Sequence, residues 1–135
     1  MAISINKLRG MSAELAAKLK ARGIVYSDQL LEAARTPAAR KALAEQVGVE
    51  SRVILELANR ADLSRVWGIA GVFSDLLERA GVDTVKELAT RNPENLHAKL
   101  VEINAEKKTA GRTPHQAMVK DWVAQAKSLP KLLEY

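Results

Sequence analysis

No cysteine occurs in the 135 residues, so disulfides and thiolate metal sites are excluded. Aromatic residues make up only 4% of the chain, which leaves Leu, Ala, Val and Ile to build any core. The two histidines, His97 and His115, have no Asp or Glu beside them at metal-ligand spacing and read as surface residues, so no metal is expected. No apolar run approaches the roughly 18 residues of a membrane span, and the Met-Ala-Ile-Ser start lacks the apolar stretch of a signal peptide. These absences point to a cytoplasmic protein without a membrane partner. Serine-histidine-aspartate order, a glycine-rich nucleotide loop and an HExxH string are also missing. The acids are spread along helix faces as partners for Lys and Arg, as in Asp75/Arg79, instead of converging on a divalent cation. The reading is a non-enzyme with no catalytic residue and no cofactor.

What is present is helical. The chain is 47% hydrophobic and 27% charged, within the globular range. Ala and Leu favour helix, and no alternating pattern runs long enough to compete as a strand. An all-α protein of about eight to ten helices is expected from the capping signals. The formal net charge is +5, a modest bias toward an acidic partner. Residues 1–61 carry a net +4 and residues 62–135 a net +1, so a polyanion should contact mainly the first half.

The chain also repeats itself. Ile5, Leu8, Gly10, Met11, Ser12, Ala16 and Leu19 occupy the same relative places as Leu63, Val66, Gly68, Ile69, Ala70, Ser74 and Leu77, at an offset of 58 residues, and Gly23-Ile24 then falls on Gly81-Val82. Apolar residues before a glycine, one after it, and a small residue one turn into the next helix form the pattern of a helix-hairpin-helix. Two such repeats, 1–61 and 62–135, are expected to pack through one core into one compact helical domain. The seam between them falls at Asn59-Arg60-Ala61-Asp62.

Local signals mark the helices. Ser12 is placed to cap a helix that Gly23 ends, and Ser27 opens a short one. Thr36-Pro37, Asn92-Pro93 and Thr113-Pro114 each put a capping residue before a proline, which is tolerated in a first turn. Thr84 and Glu87 have capping-box spacing. Asp62 should cap a brief turn through Val66. A polar stretch at 107–112 reads as a loop, and Met118, Trp122, Val123 and Ala126 form an apolar stripe on the last helix. The leucines and tyrosine of 130–135 suggest a tail that docks.

Three turns are candidates for gripping phosphate, through outward backbone N–H groups, the helix dipole and nearby cations. Gly10-Met11-Ser12 is the best, with Lys7 and Arg9 before it and Lys18 and Lys20 after it. Gly48 is followed by Ser51 and Arg52, but Glu50 stands where phosphate would approach. Gly68 and Gly71 flank the third turn, near Arg65 and Asp75. Trp67 precedes the third turn; exposed, it would stack on a base or fill a partner's pocket. As a large aromatic it is expected instead to plug the space between the halves.

The residues resemble a helix-hairpin-helix family catalogued as domain of unknown function 4332. The resemblance runs through Asp62-Leu63-Ser64-Arg65-Val66-Trp67-Gly68-Ile69, Leu76-Leu77-Glu78-Arg79-Ala80-Gly81-Val82-Asp83-Thr84-Val85, Arg91-Asn92-Pro93-Glu94-Asn95-Leu96 and Trp122-Val123-Ala124-Gln125-Ala126-Lys127. It implies no established activity. The first half is also similar to the C-terminal domain of the bacterial RNA polymerase α subunit, in the order of glycine turn, short helix and second glycine turn. That resemblance implies contact with DNA or with protein.

Together these features favour a non-enzymatic, sequence-independent module that binds the nucleic-acid (DNA) backbone. Neutralising about four phosphates would give a salt slope of about −3.6. The rival reading is a protein-interaction or assembly adaptor that uses Trp67, Val72 and Phe73.

Overall fold

The computed structural model describes residues 2–69, 72–107 and 111–135, with the side chains of Val72 and Lys107 outside that description. Eight α-helices fill it: α1 (Ala13–Lys20), α2 (Ser27–Ala33), α3 (Pro37–Val47), α4 (Ser51–Leu63), α5 (Val72–Arg79), α6 (Val85–Ala89), α7 (Pro93–Lys107) and α8 (Gln116–Ser128). A single 3-10 turn at Ile5–Lys7 precedes them. The only β pairing among the described residues is an isolated bridge between Ser4 and Tyr26.

The caps explain most helix starts. Ser12 Oγ accepts from the Leu15 amide, Thr36 Oγ1 from Ala39 and Thr84 Oγ1 from Glu87. Asn92 Oδ1 accepts from both Glu94 and Asn95. Each bond satisfies an amide that has no partner within its own helix. Two expected starts differ. The last helix begins at Gln116 with His115 as its cap, and not at Thr113-Pro114; the Pro114 carbonyl lies 3.0 Å from His97 Nε2. Asp62 caps no turn through Val66. It lies buried in the last turn of α4, where Oδ1 binds Arg65 and Oδ2 accepts from the Val85 amide at 3.0 Å, so it caps α6 from a distance in sequence.

Buried residues form two clusters where one shared core was expected. The first gathers Ile5, Leu19, Leu30, Val47, Ile54 and Ala61 with their neighbours; the second gathers Leu63, Leu76, Leu77, Leu88, Leu100 and Trp122 with theirs. Helix α4 runs unbroken through the anticipated seam and belongs to both, with Ala61 in one cluster and Leu63 in the other. Packing follows one plan in each half: α2 and α3 lie on α4 and α1 touches α3, as α6 and α7 lie on α8 and α5 touches α7.

Two further ties hold the halves together. Arg60, almost buried at the end of α4, reaches Asp75 and Glu78 on α5 and donates to Ser74 Oγ at 3.1 Å. The tail folds back from the second half onto the first. Leu133 enters the first cluster, the Glu134 amide donates to the Arg35 carbonyl at 2.8 Å, and buried Arg40 donates to the Glu134 carbonyl at 2.7 Å.

Candidate nucleic-acid interface

The turns at Gly10 and Gly68 have nearly the same backbone. Their φ values are 88° and 90°, a left-handed conformation that glycine adopts without strain. At Gly10 the chain closes through Leu8 N–H to Ile5 O at 3.2 Å and Met11 N–H to Leu8 O at 3.2 Å. At Gly68 it closes through Val66 N–H to Leu63 O at 3.0 Å and Ile69 N–H to Val66 O at 3.3 Å. The apolar residues on either side of each glycine make both turns, by pinning one strand of the turn into the cluster below.

Their surroundings diverge. A Cβ on Gly10 would meet only Leu57, at an ordinary contact distance of 3.9 Å, so nothing crowds the turn. The Met11 amide points inward to Leu8, while the amides of Gly10 and Ser12 have no acceptor among the described residues. Lys7 and Lys20 are exposed and make no ion pair among the described residues. A shallow cavity of about 400 Å³ opens beside the turn, lined by Asn6, Met11, Ser12, Ala16 and Lys20 among others. Ser12 and Lys20 thus stand at one groove, with Lys7 next to it in sequence.

The other expected cations are turned elsewhere. Arg9 Nε lies 2.9 Å from Asp75 Oδ2, so its charge is spent on α5 and not held at the turn. Asp75 pairs with Arg9 and Arg60, and not with Arg79 one turn along its own helix. Lys18 Nζ donates to the Val47 carbonyl at 3.4 Å and sits 3.4 Å from Glu14, at the end of α3. Gly48 forms that end, with φ 75°, and α4 begins three residues on at Ser51, behind the Glu50 carboxylate. Arg52 lies between Glu50 at 4.0 Å and Glu56 at 3.9 Å, which offsets its charge. The Gly48 turn and Arg52 therefore form no common site with Gly10.

The Gly68 turn is packed. A Cβ there would lie 2.9 Å from Trp122 Nε1, and Trp122 is itself buried and in ring contact with Phe73 at 5.5 Å. Gln125 holds the Trp67 backbone on both sides, accepting from its amide at 2.8 Å and donating to its carbonyl at 3.2 Å. The indole of Trp67 is 65% exposed, so it does not plug the space between the halves. The buried plug is Trp122. Gly71 and the Val72 side chain, both expected near this surface, lie outside the described residues.

Sequence reasoning passed over Asn6, which lines the groove beside Met11 and Ser12, and the acids Glu56 and Glu78, which line a second pocket with Gly10 itself. The one signal for Asn6 was a polar residue set between Ile5 and Lys7 in a turn too short to show a period. Among the described residues no group of three His, Cys, Asp or Glu side chains is placed to hold a metal ion, and no helix is long and apolar enough to cross a membrane.

No curated protein and no solved structure matches the chain. The family model described as Domain of unknown function (DUF4332) matches residues 9–129, which take in both glycine turns and all eight helices. On that match, the chain belongs to the DUF4332 family.

Proposed function

We propose that this protein is a non-enzymatic, sequence-independent module that binds the nucleic-acid backbone in the cytoplasm, seating phosphate at the Gly10 turn. In this reading both glycine turns are helix-hairpin-helix turns, and only the first is used for nucleic acid. The observation that carries it is the exposed Gly10 turn, with two unengaged amides, the unpaired Lys20 in the groove beside Met11 and Ser12, and the unpaired Lys7 three residues before the glycine. Backbone amides at the start of a helix and a neighbouring cation together favour a phosphate oxygen.

The pairing of Arg9 with Asp75 and of Lys18 with the end of α3 narrows the contact set to Lys7, Gly10, Ser12 and Lys20. Two lysines neutralising two phosphates give a slope of log K against log salt of about −1.8, shallower than four cations would give. Binding to short DNA duplexes of unrelated sequence, measured at several salt concentrations, tests this. Lys7→Glu with Lys20→Glu should weaken every duplex alike, while Arg52→Glu should change little. Binding that ignores salt, or a strong preference for one sequence, would contradict the reading.

The second reading, a protein-interaction adaptor, rests on Trp67. An exposed tryptophan on a backbone held by Gln125 is the kind of anchor that dominates protein interfaces. Partners captured from lysate that survive nuclease treatment and are lost with Trp67→Ala would favour it over nucleic acid.

A further inference from the structure

A cavity of about 340 Å³ opens in the second half, between α6, the end of α8 and the tail. Its wall is apolar, built from Val85, Ala89, Ala126, Leu129 and Leu132. Three lysines stand around it, Lys86 on α6, Lys127 on α8 and Lys131 on the tail. All three are exposed, and none is in an ion pair among the described residues. The one acid in the lining, Asp62, is already spent: Arg65 lies 2.7 Å from Oδ1, and Oδ2 accepts from the Val85 amide. The site thus joins a largely apolar wall to a rim where three lysines lack an ion-pair partner among the described residues, with Asp83 the further acid close enough to act on Tyr135 in the lining. That combination selects a ligand with an apolar body and one anionic end, because the body leaves water on entry and the acid meets cations at the mouth.

The cavity is of the size that takes a small ligand, with its apolar wall long enough for a short alkyl chain. From the wall, the rim and this volume, we infer that the cavity is a binding site for a small amphipathic monocarboxylate, such as a medium-chain fatty acid. The alkyl chain lies along Ala89, Ala126 and Leu129, and the carboxylate sits among Lys86, Lys127 and Lys131. This site is separate from the Gly10 turn and does not depend on the nucleic-acid reading.

The experiment is a titration of the whole chain with octanoate, below its micelle concentration, followed by amide chemical shifts. Saturable shifts confined to α6, the end of α8 and the tail are expected. Acetate, which has the charge without the chain, should leave them unmoved, and octyltrimethylammonium should bind at least tenfold more weakly. Lys86→Glu with Lys127→Glu should weaken octanoate about tenfold or more while leaving octyl alcohol unchanged. Ala89→Phe should fill the cavity and block both ligands, and the charge-reversal pair still decides the matter if that variant folds poorly. Absence of saturable shifts, shifts spread over other surfaces, equal binding of the octyl cation, or indifference to the charge reversal would each overturn the assignment.

Discussion

The turns at Gly10 and Gly68 share φ angles and hydrogen bonds yet sit in opposite surroundings. Around Gly10 the nearest obstacle to a Cβ is Leu57 at 3.9 Å, whereas at Gly68 it is the Trp122 indole at 2.9 Å. One backbone solution therefore serves two ends. The first turn leaves amides and lysines facing solvent. The second is exposed as well, but it has Trp122 of α8 packed against its glycine and its backbone held by Gln125, with the Trp67 side chain left outside. A turn's backbone signature tells where two helices join; its neighbours from distant sequence decide whether it can touch anything else.

The largest test of this contrast is alanine at each glycine. A non-glycine residue in the left-handed region costs about 1–2 kcal/mol at either site. At position 68 the new methyl also meets Trp122, which is buried and cannot swing away, adding about 1–3 kcal/mol of overpacking. Urea unfolding should therefore rank Gly68→Ala well below Gly10→Ala in stability. Equal losses would show that the Trp122 contact does not distinguish the turns.

Next come the cations that tie the halves. Arg60→Ala leaves Glu78 without its partner and Asp75 with Arg9 alone, in a site that is only part-buried, with an expected loss of about 1–2 kcal/mol, less than for a fully buried pair. Arg9→Ala, at a side chain 47% exposed, should cost under about 1 kcal/mol. A double-mutant cycle with Asp75→Asn measures both couplings, and a larger coupling to Arg9 than to Arg60 would reverse their order.

The smallest effect is at the tail. Burial, with Asp62 and Asp83 adding to it, pushes the Tyr135 phenol up from 10.0 to about 12, while Arg40 opposes the shift. Its hydroxyl donates to Asn59 Oδ1 at 2.8 Å, which needs the protonated form. In the unfolded chain the tyrosine releases its proton near 10, before the folded chain does, so rising pH between the two values favours unfolding. Its contribution is complete below about 10 and lost toward 12. Thermal unfolding across that window should fall more steeply for the native chain than for Tyr135→Phe. Parallel curves would detach Tyr135 from the tail's docking.

Much of the fold was legible because its signals are local. Ser12, Thr36, Thr84 and Asn92 cap amides two or three residues away, so neighbouring letters suffice to place them. The all-helical class followed from composition in the same way. Asp62 was misread because its partner amide, Val85, lies 23 residues on, and no local spacing announces that bond. Thr113-Pro114 looked like a helix start, yet α8 begins at Gln116, and the Pro114 carbonyl meets His97, 17 residues earlier, in a contact no local spacing announces. At the candidate site, Gly10, Ser12, Lys7 and Lys20 were readable from the turn pattern. The diversion of Arg9 to Asp75 and of Lys18 to Val47 was not, since both are long-range contacts. Trp67 was misjudged for a related reason: its twin in bulk, Trp122, already fills the space beside Gly68.

The most direct measurement of the central claim is an amide-shift titration of the protein with a short DNA duplex at low salt. The account predicts that Gly10, Ser12 and the flanking Lys7 and Lys20 signals move first and lose their response as salt rises, while Gly68 and Ile69 stay in place. Equal movement at both turns, or movement at Gly68 with Gly10 unmoved, would contradict it.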